Sequence, residues 1–115
     1  MSNLIVNGVT LKYVEKGNGQ PIVFVHGSAS DYRTWKDQLD EFSADYKVIA
    51  YSRRYHWPNE PIPDDGDYSM LEHVDDLQAL IRSLGIAPVH LVGHSYGAFV
   101  SLLLAVREPD RKSVV

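Results

Sequence analysis

A G-x-S-x-G run near the carboxyl end constrains the fold of this chain more than any other feature. The run occupies residues 93–97, with Ser95 at its centre. An apolar, strand-like segment at 89–92 precedes it, and an apolar, helix-like segment at 98–106 follows it. Glycines two residues before and two after the serine let a strand and a helix approach closely. The sequence therefore predicts a sharp strand-turn-helix unit with Ser95 at its apex.

Such a unit is typical of a nucleophile elbow, in which a serine hydroxyl projects clear of the sheet. The turn that achieves this strains the serine backbone. The alternative is an ordinary glycine-rich turn between a strand and a helix. A second motif upstream favours the elbow.

The second motif is His26-Gly27-Ser28, directly after the apolar strand predicted at 22–25. Acyl transfer builds negative charge on a carbonyl oxygen, which two fixed backbone N–H groups can stabilise. In hydrolases with this elbow, one donor follows the nucleophile and the other lies on the loop after the third strand. The candidate oxyanion-hole donors are thus Tyr96 and Ser28. The alternative for the upstream motif is a plain strand-to-helix turn.

Together these segments resemble the α/β-hydrolase superfamily. The resemblance runs over the whole chain and rests on the segment at 21–28, Trp35, the segment at 48–55 and the elbow with its strand at 89–97. It is nearest to the branch of epoxide hydrolases, lactonases, C–C bond hydrolases and cofactor-free haloperoxidases. In that branch epoxide hydrolases carry Asp at the nucleophile position. Ser95 here favours ester-like or C–C substrates.

The resemblance implies a fold and a set of site residues. The expected fold is the N-terminal half of an α/β-hydrolase domain: a mostly parallel sheet opened by an antiparallel hairpin, with helices on both faces. The nucleophile is Ser95, and the oxyanion donors are the N–H groups of Ser28 and Tyr96. The residues that support these motifs are His26, Gly27, Gly93, His94 and Gly97.

Local patterns agree with that fold. Asn7-Gly8 between two alternating segments predicts a hairpin. Ser30 is a candidate cap for a helix with Trp35, Leu39 and Phe42 on its inner face. Ser69 and Glu72 form a candidate capping box for a second helix, which Gly85 ends. The helix after Ser95 is apolar nearly all round, which predicts that it is buried.

Composition excludes several classes of protein. A net charge of −4 disfavours nucleic acid as a partner. The absence of cysteine excludes disulfides and thiolate metal sites. No two histidines have metal-ligand spacing with a third ligand, and no cofactor is expected. No secretory signal or membrane-length apolar run is visible, so we expect a cytoplasmic protein that acts on a small molecule away from membranes.

The chain departs from the superfamily pattern after Ser95. A serine nucleophile needs a base and an orienting carboxylate, which follow it in the order Asp or Glu, then His. The acidic residues after Ser95 are Glu108 and Asp110, and no histidine follows Ser95 in this sequence. We therefore expect residues 1–115 to be the N-terminal half of one domain, truncated in or near its sixth strand. The missing half, on the same or a second chain, is the expected partner.

None of the histidines present is a strong candidate for the missing base. His94 neighbours Ser95, and adjacent side chains on a tight turn point apart, so a packing role is expected. His26 is expected to support the oxyanion loop, with general-base work as the alternative. His73 is expected to be solvated.

The loop at 52–68 contains two arginines, several aromatic residues and three prolines. It follows the carboxyl end of a strand, where open α/β sheets bind ligands. One interpretation is a pocket wall for an apolar or aromatic substrate. The favoured alternative pairs Arg53 and Arg54 with Asp64, Asp65 or Asp67 on the surface.

Two functions stay open. The first is a serine hydrolase for a small ester, lactone or diketone-like C–C substrate, with its triad acid and histidine lying outside these residues. The second is a truncated or degenerate hydrolase fold that serves as a binding or assembly module. A carboxylate and a histidine supplied by further polypeptide would favour the enzyme.

Overall fold

The computed structural model describes residues 1–108 and 113–115 of the chain. They form one six-stranded sheet in the order β1-β2-β4-β3-β5-β6. The strands are β1 Ser2–Val6, β2 Val9–Lys16, β3 Pro21–Val25, β4 Lys47–Tyr51, β5 His90–Gly93 and β6 Ser113–Val114. The helices are α1 Lys36–Phe42, which follows a short 3₁₀ turn at Tyr32–Trp35, then α2 Met70–Leu84 and α3 Tyr96–Arg107.

An antiparallel hairpin opens the sheet, as predicted. Asn7 and Gly8 connect β1 to β2 with φ of 47° and 79°. Positive φ at both positions is the conformation that such a two-residue turn requires. Strand β2 pairs antiparallel with β4, and β4, β3, β5 and β6 are parallel to one another. The predicted mostly parallel sheet is confirmed.

Alternate residues of the strands feed two cores on opposite faces of the sheet. Val23, Val25 and Leu91 pack with the inner faces of α2 and α3. Ile22 and Phe24 point the other way and pack with Trp35 at the start of α1. Successive side chains on a strand alternate between faces, so a continuous apolar strand supports two layers of helix. The predicted helices on both faces are therefore present.

The helix caps differ from the predicted ones. Asp31, rather than Ser30, caps the turn that leads into α1, and its side chain accepts a hydrogen bond from the Arg33 N–H at 3.0 Å. Ser69 precedes α2 without a side-chain cap bond. Glu72 does not complete a capping box because its carboxylate accepts from Arg54 at 2.6 Å. Gly85 ends α2 in the left-handed conformation, as predicted.

Helix α3 is buried on one face only, which contradicts the prediction that it is buried all round. Its inner face contacts the sheet and α2 through Val100, Ser101, Leu104 and Ala105. The outer face exposes large apolar side chains, namely Phe99, Leu102, Leu103 and Val106. Phe42 at the end of α1 is also 43% exposed, although its spacing predicted an inner position. No helix in the described ranges is both long and apolar enough to cross a bilayer.

Candidate active site

Ser95 sits at the junction of β5 and α3 in a strained backbone conformation. Its φ and ψ are 56° and −119°. A positive φ is uncommon for any residue other than glycine and costs of order 1–3 kcal/mol. The side chain lies on the exposed surface of the turn. The predicted sharp strand-turn-helix unit is therefore present, with an accessible hydroxyl at its apex.

The two glycines of the run are required by close backbone packing. A Cβ atom on Gly93 would lie 2.6 Å from the Gly97 carbonyl oxygen and 2.7 Å from the Ala98 Cα. A Cβ atom on Gly97 would collide with the backbone of Val25 at the end of β3. Real side chains essentially never approach backbone so closely, so larger residues would force the helix away from the sheet. These contacts bring the start of α3 against the loop that follows β3.

That loop carries His26, Gly27 and Ser28, and it lies beside the elbow. A Cβ atom on Gly27 would sit 3.2 Å from the Ser95 Cβ and 3.3 Å from the His94 Nδ1. The His94 N–H donates to the Val25 carbonyl oxygen at 3.1 Å. The structure thus brings the two predicted motifs into contact. It also places the His94 ring close to Gly27, while His94 itself is exposed.

Both candidate oxyanion donors are free in the described part of the chain. Tyr96 begins α3, where the first N–H groups of a helix have no acceptor within the helix. Ser28 is exposed beyond the end of β3. Over residues 1–108 and 113–115, neither the Tyr96 N–H nor the Ser28 N–H has a hydrogen-bond acceptor. Both are available to a ligand at the elbow.

His26 is fully buried and supports the loop as a neutral ring. The Arg53 N–H donates to its Nε2 at 2.9 Å, and its Nδ1 lies 2.8 Å from the Gly27 carbonyl oxygen. Because Nε2 accepts, Nδ1 carries the proton and donates. Burial is the main cause that lowers the pKa of His26 to about 3, and the nearby Arg53 charge acts in the same direction. Both nitrogens are engaged, so the supporting role is favoured over general-base work.

The loop arginines are buried beside the site, which contradicts the prediction that they pair with surface aspartates. Arg53 donates to the carbonyl oxygens of His26 and Gly27 at 3.0 and 2.9 Å. Arg54 pairs instead with Asp76 on α2, at 2.6 and 2.9 Å. The sequence signal for both was their position after the carboxyl end of β4, where α/β sheets place functional residues.

His73 is also buried, although its place on the first turns of α2 predicted a solvated side chain. Its ring packs 4.6 Å from Tyr68 and 5.6 Å from Tyr96, between ring centroids. The Arg53 guanidinium lies 3.3 Å from its Nδ1. Burial, with the Arg53 charge as the second cause, lowers the pKa of His73 to about 3. The loop at 52–68 folds over α2 and hides this face.

These two neutral histidines make stability depend on pH. Both have a folded-state pKa of about 3, below the usual 6.5. As the pH falls, the two histidines are protonated in the unfolded chain before they are protonated in the folded chain. Stability present above pH 6.5 is therefore lost as the pH falls toward 3. We expect the free energy of unfolding to drop by about 2 kcal/mol per histidine between pH 7.5 and pH 5. Urea unfolding at the two pH values measures it.

His73→Gln serves as the matched variant for that experiment. Removing one of the two groups should reduce the pH-dependent loss by about half. A loss of stability of the same size in the variant and the original protein would contradict the assignment to His73.

The structure places no candidate base in hydrogen-bond contact with Ser95 within the described residues. No side chain of residues 1–108 and 113–115 hydrogen-bonds to the Ser95 hydroxyl. Glu108 lies at the far end of α3, roughly 18 Å away for a helix of this length, and accepts from Gln78 and Arg82. Asp110 lies outside the described residues. Within the same ranges, no three histidine or acidic side chains are grouped to hold a metal ion.

The family model for the alpha/beta hydrolase fold matches residues 20–114. This chain belongs to the alpha/beta hydrolase family. The mostly parallel sheet, its opening hairpin and the strand-turn-helix unit at Ser95 are the first part of that fold. The family resemblance seen in the sequence is confirmed.

Curated relatives of this alpha/beta hydrolase include two kinds of enzyme. It is 32% identical over 104 residues to an (E)-2-((N-methylformamido)methylene)succinate hydrolase of Acinetobacter baylyi, covering 90% of this chain and 39% of the relative. It is 38% identical over 92 residues to a non-heme chloroperoxidase of Kitasatospora aureofaciens, covering 79% of this chain and 33% of the chloroperoxidase.

Solved structures of epoxide hydrolases are similar to this chain. The crystal structure of an epoxide hydrolase from Vigna radiata matches 98% of this chain and 36% of that protein, with a TM-score of 0.92 and 31% identity. An inhibitor complex of the Bacillus megaterium epoxide hydrolase gives a TM-score of 0.90 at 32% identity. The match covers 98% of this chain and 40% of that protein. The chain spans little more than a third of the length of these relatives.

Proposed function

We propose that this protein is a serine hydrolase that acts by acyl transfer on a small ester, lactone or diketone-like C–C substrate. The observation that carries the proposal is the backbone of Ser95, held at a φ of 56° at the start of α3. Strain of this kind persists only where the surrounding structure enforces it, and it clusters at functional sites. Here it presents an exposed hydroxyl, and the N–H groups of Ser28 and Tyr96 have no acceptor among the described residues.

In this proposal each motif residue has one role. The Ser95 hydroxyl loses its proton to a base and attacks the substrate carbonyl carbon, and the carbonyl oxygen becomes an oxyanion. The N–H groups of Ser28 and Tyr96 stabilise that charge. Collapse of the intermediate breaks the bond to the leaving group, which takes up the proton held by the base. Water, losing a proton to the same base, then hydrolyses the acyl-enzyme and frees the Ser95 hydroxyl. The remaining motif residues hold the two loops together: His26, Gly27, Gly93, His94 and Gly97.

The residue at the nucleophile position favours one of the chemistries named for the relatives. Epoxide hydrolases of this superfamily carry Asp at the nucleophile position, whereas this chain has Ser95. A carboxylate can form an ester with an opened epoxide that water then hydrolyses, but a serine attack would leave a stable ether. The acylated form of a serine, by contrast, is an ester that water can cleave. The relative from Acinetobacter baylyi, named as a hydrolase of a succinate derivative, is consistent with attack at a carbonyl.

We further propose that the base and its carboxylate come from polypeptide outside these 115 residues. Two features support this. The chain covers 33% to 39% of the curated relatives described above. The outer face of α3 exposes Phe99, Leu102, Leu103 and Val106, and the two-residue strand β6 lies at the edge of the sheet. Further strands of one domain could pair with the edge of β6, which has no second neighbour among the described residues. Further helices could cover the apolar face of α3.

Residues 1–115 expressed alone should therefore be inactive. We expect no covalent adduct with a fluorophosphonate and no ester turnover above a Ser95→Ala control, because an unassisted serine is a poor nucleophile at neutral pH. The fragment should also aggregate or pair through its apolar face and sheet edge. Adding a polypeptide that supplies the histidine should restore labelling, with the adduct located on Ser95 by peptide mass spectrometry. A folded, monomeric, active fragment would contradict this proposal.

A non-catalytic module is the second candidate, and the unassisted Ser95 hydroxyl is the observation that favours it. The same labelling experiment on the gene product as its organism makes it separates the two functions. An adduct at Ser95 supports the enzyme. A well-folded gene product that reacts neither with fluorophosphonates nor with activated esters supports the module.

A further inference from the structure

Arg53 is a buried cation without a carboxylate partner among the described residues. Its side chain is 1% exposed, and its guanidinium is charged at any ordinary pH. Neighbouring Arg54 shows the usual arrangement, with ion pairs to Asp76 and Glu72. Burying a charge without an ionic partner opposes folding unless hydrogen bonds compensate for it.

Arg53 donates from Nη1 to the Tyr68 hydroxyl at 2.7 Å, and others of its bonds reach the loop with the candidate oxyanion donor. Its Nε donates to the His26 carbonyl oxygen at 3.0 Å, and its Nη2 donates to the Gly27 carbonyl oxygen at 2.9 Å. Its own backbone N–H donates to the His26 ring at 2.9 Å. That ring donates in turn to the same Gly27 oxygen at 2.8 Å. The Gly27 carbonyl is therefore held from two sides.

The Gly27 carbonyl and the Ser28 N–H belong to one peptide unit. The bond between them is trans, so the oxygen and the hydrogen point in opposite directions across a rigid plane. With the oxygen held inward by Arg53 and His26, the N–H must face outward. Gly27 also lies against the Ser95 side chain. The outward N–H is thereby presented on the side of the loop that is open to a ligand of Ser95.

We propose that Arg53 is a positioning residue that fixes this peptide unit, so that the Ser28 N–H is aimed and polarised for the oxyanion. A flipped unit would present the Gly27 carbonyl oxygen instead and repel the developing charge. A hydrogen bond to the carbonyl also strengthens the N–H of the same amide as a donor, by about 10–30%. The guanidinium lies 4.6 Å from the centroid of the Tyr96 ring, so one cation supports the residues of both donors.

The inference rests on the proposed function, and its test compares two arginine-to-lysine variants of the gene product as its organism makes it. Arg53→Lys keeps the charge but cannot hold two carbonyl oxygens in a planar fork. Arg82→Lys is the matched control, because Arg82 is exposed and pairs with Glu108 far from Ser95. We expect Arg53→Lys to lower kcat on the order of 10- to 100-fold with little change in KM, as for a partly misaligned oxyanion donor. Arg82→Lys should leave both unchanged.

A spectroscopic readout separates positioning from a merely structural role. The backbone ¹⁵N resonance of Ser28 should move in Arg53→Lys and stay in Arg82→Lys, because the Gly27 carbonyl loses a charged donor. A folded Arg53→Lys variant with unaltered kcat would overturn the inference. So would a lowered kcat with the Ser28 resonance unmoved.

The unmodified protein provides a second measurement if Arg53→Lys does not fold. Phosphonylation of Ser95 should shift the amide protons of Ser28 and Tyr96 downfield, as they bond to the phosphonyl oxygen. Labelling of Ser95 with an unmoved Ser28 proton overturns the inference and leaves the serine hydrolase standing. Failure of Ser95 to label overturns the proposed function and the inference together.

Discussion

Replacing Ser95 with alanine should abolish covalent labelling of the gene product by a fluorophosphonate. It should also lower kcat/KM for its ester or C–C substrate by roughly 10⁴-fold or more, the loss seen when an activated nucleophile is removed. The reason is chemical rather than structural, since the Ser95 hydroxyl makes no hydrogen bond to any described residue. Steady-state kinetics and intact-mass labelling measure the two effects.

Ser69→Ala is the matched control for that experiment. Ser69 also precedes a helix, and its side chain makes no capping hydrogen bond. The control should label fully and keep its rate, and both variants should melt near the temperature of the original protein. Full labelling of the Ser95→Ala protein would falsify the assignment of the nucleophile.

The sequence predicts those parts of the fold and site that local geometry decides. Asn7 and Gly8 specify a turn because both residue types readily adopt the positive φ that a two-residue hairpin turn requires. Gly93 and Gly97 predict the close approach around Ser95 because only glycine leaves room for it. The alternation of side chains across a strand predicts a sheet covered on both faces. Each of these signals lies within a few residues of the feature that it predicts.

The features that the sequence did not predict depend on contacts with residues that are distant in the sequence. Glu72 does not cap α2 because Arg54, eighteen positions earlier, takes its carboxylate. His73 is buried because the loop with Tyr68 folds over it. Arg53 reaches back across 26 and 27 positions to two backbone carbonyls, which carry no side-chain signal at all. Pattern and propensity cannot register such contacts, so the bonds from Arg53 to the loop after β3 are visible only in three dimensions.

The burial of α3 was mispredicted for a different reason. Its composition is apolar on every side, and a helix of that kind is expected in the interior. The described residues cover only the side that faces β5 and α2. If further polypeptide covers the outer face of α3, as proposed above, the helix would be buried all round, as its apolar composition predicts.

Two substitutions at Ser28 test whether its backbone, rather than its hydroxyl, serves the reaction. Ser28→Ala removes the hydroxyl and keeps the N–H, so it should change kcat little. Ser28→Pro removes the N–H, and the loss of one oxyanion donor should lower kcat by roughly 10²–10³. The native Ser28 N–H has no acceptor among the described residues, so proline forfeits no internal hydrogen bond at that position.

Proline also restricts the preceding residue, which here is Gly27, so the Ser28→Pro protein must be shown to melt near the original temperature. Given intact folding, its loss should appear in kcat more than in KM, because the bond to the oxyanion strengthens as negative charge develops. Labelling of Ser95 by a fluorophosphonate should slow in parallel, since the phosphonyl oxygen occupies the same position. Equal losses of kcat in the alanine and proline variants would show that the Ser28 hydroxyl, rather than its backbone N–H, serves the reaction. Unaltered kcat in both would remove Ser28 from the oxyanion hole and leave Tyr96 as its remaining candidate donor.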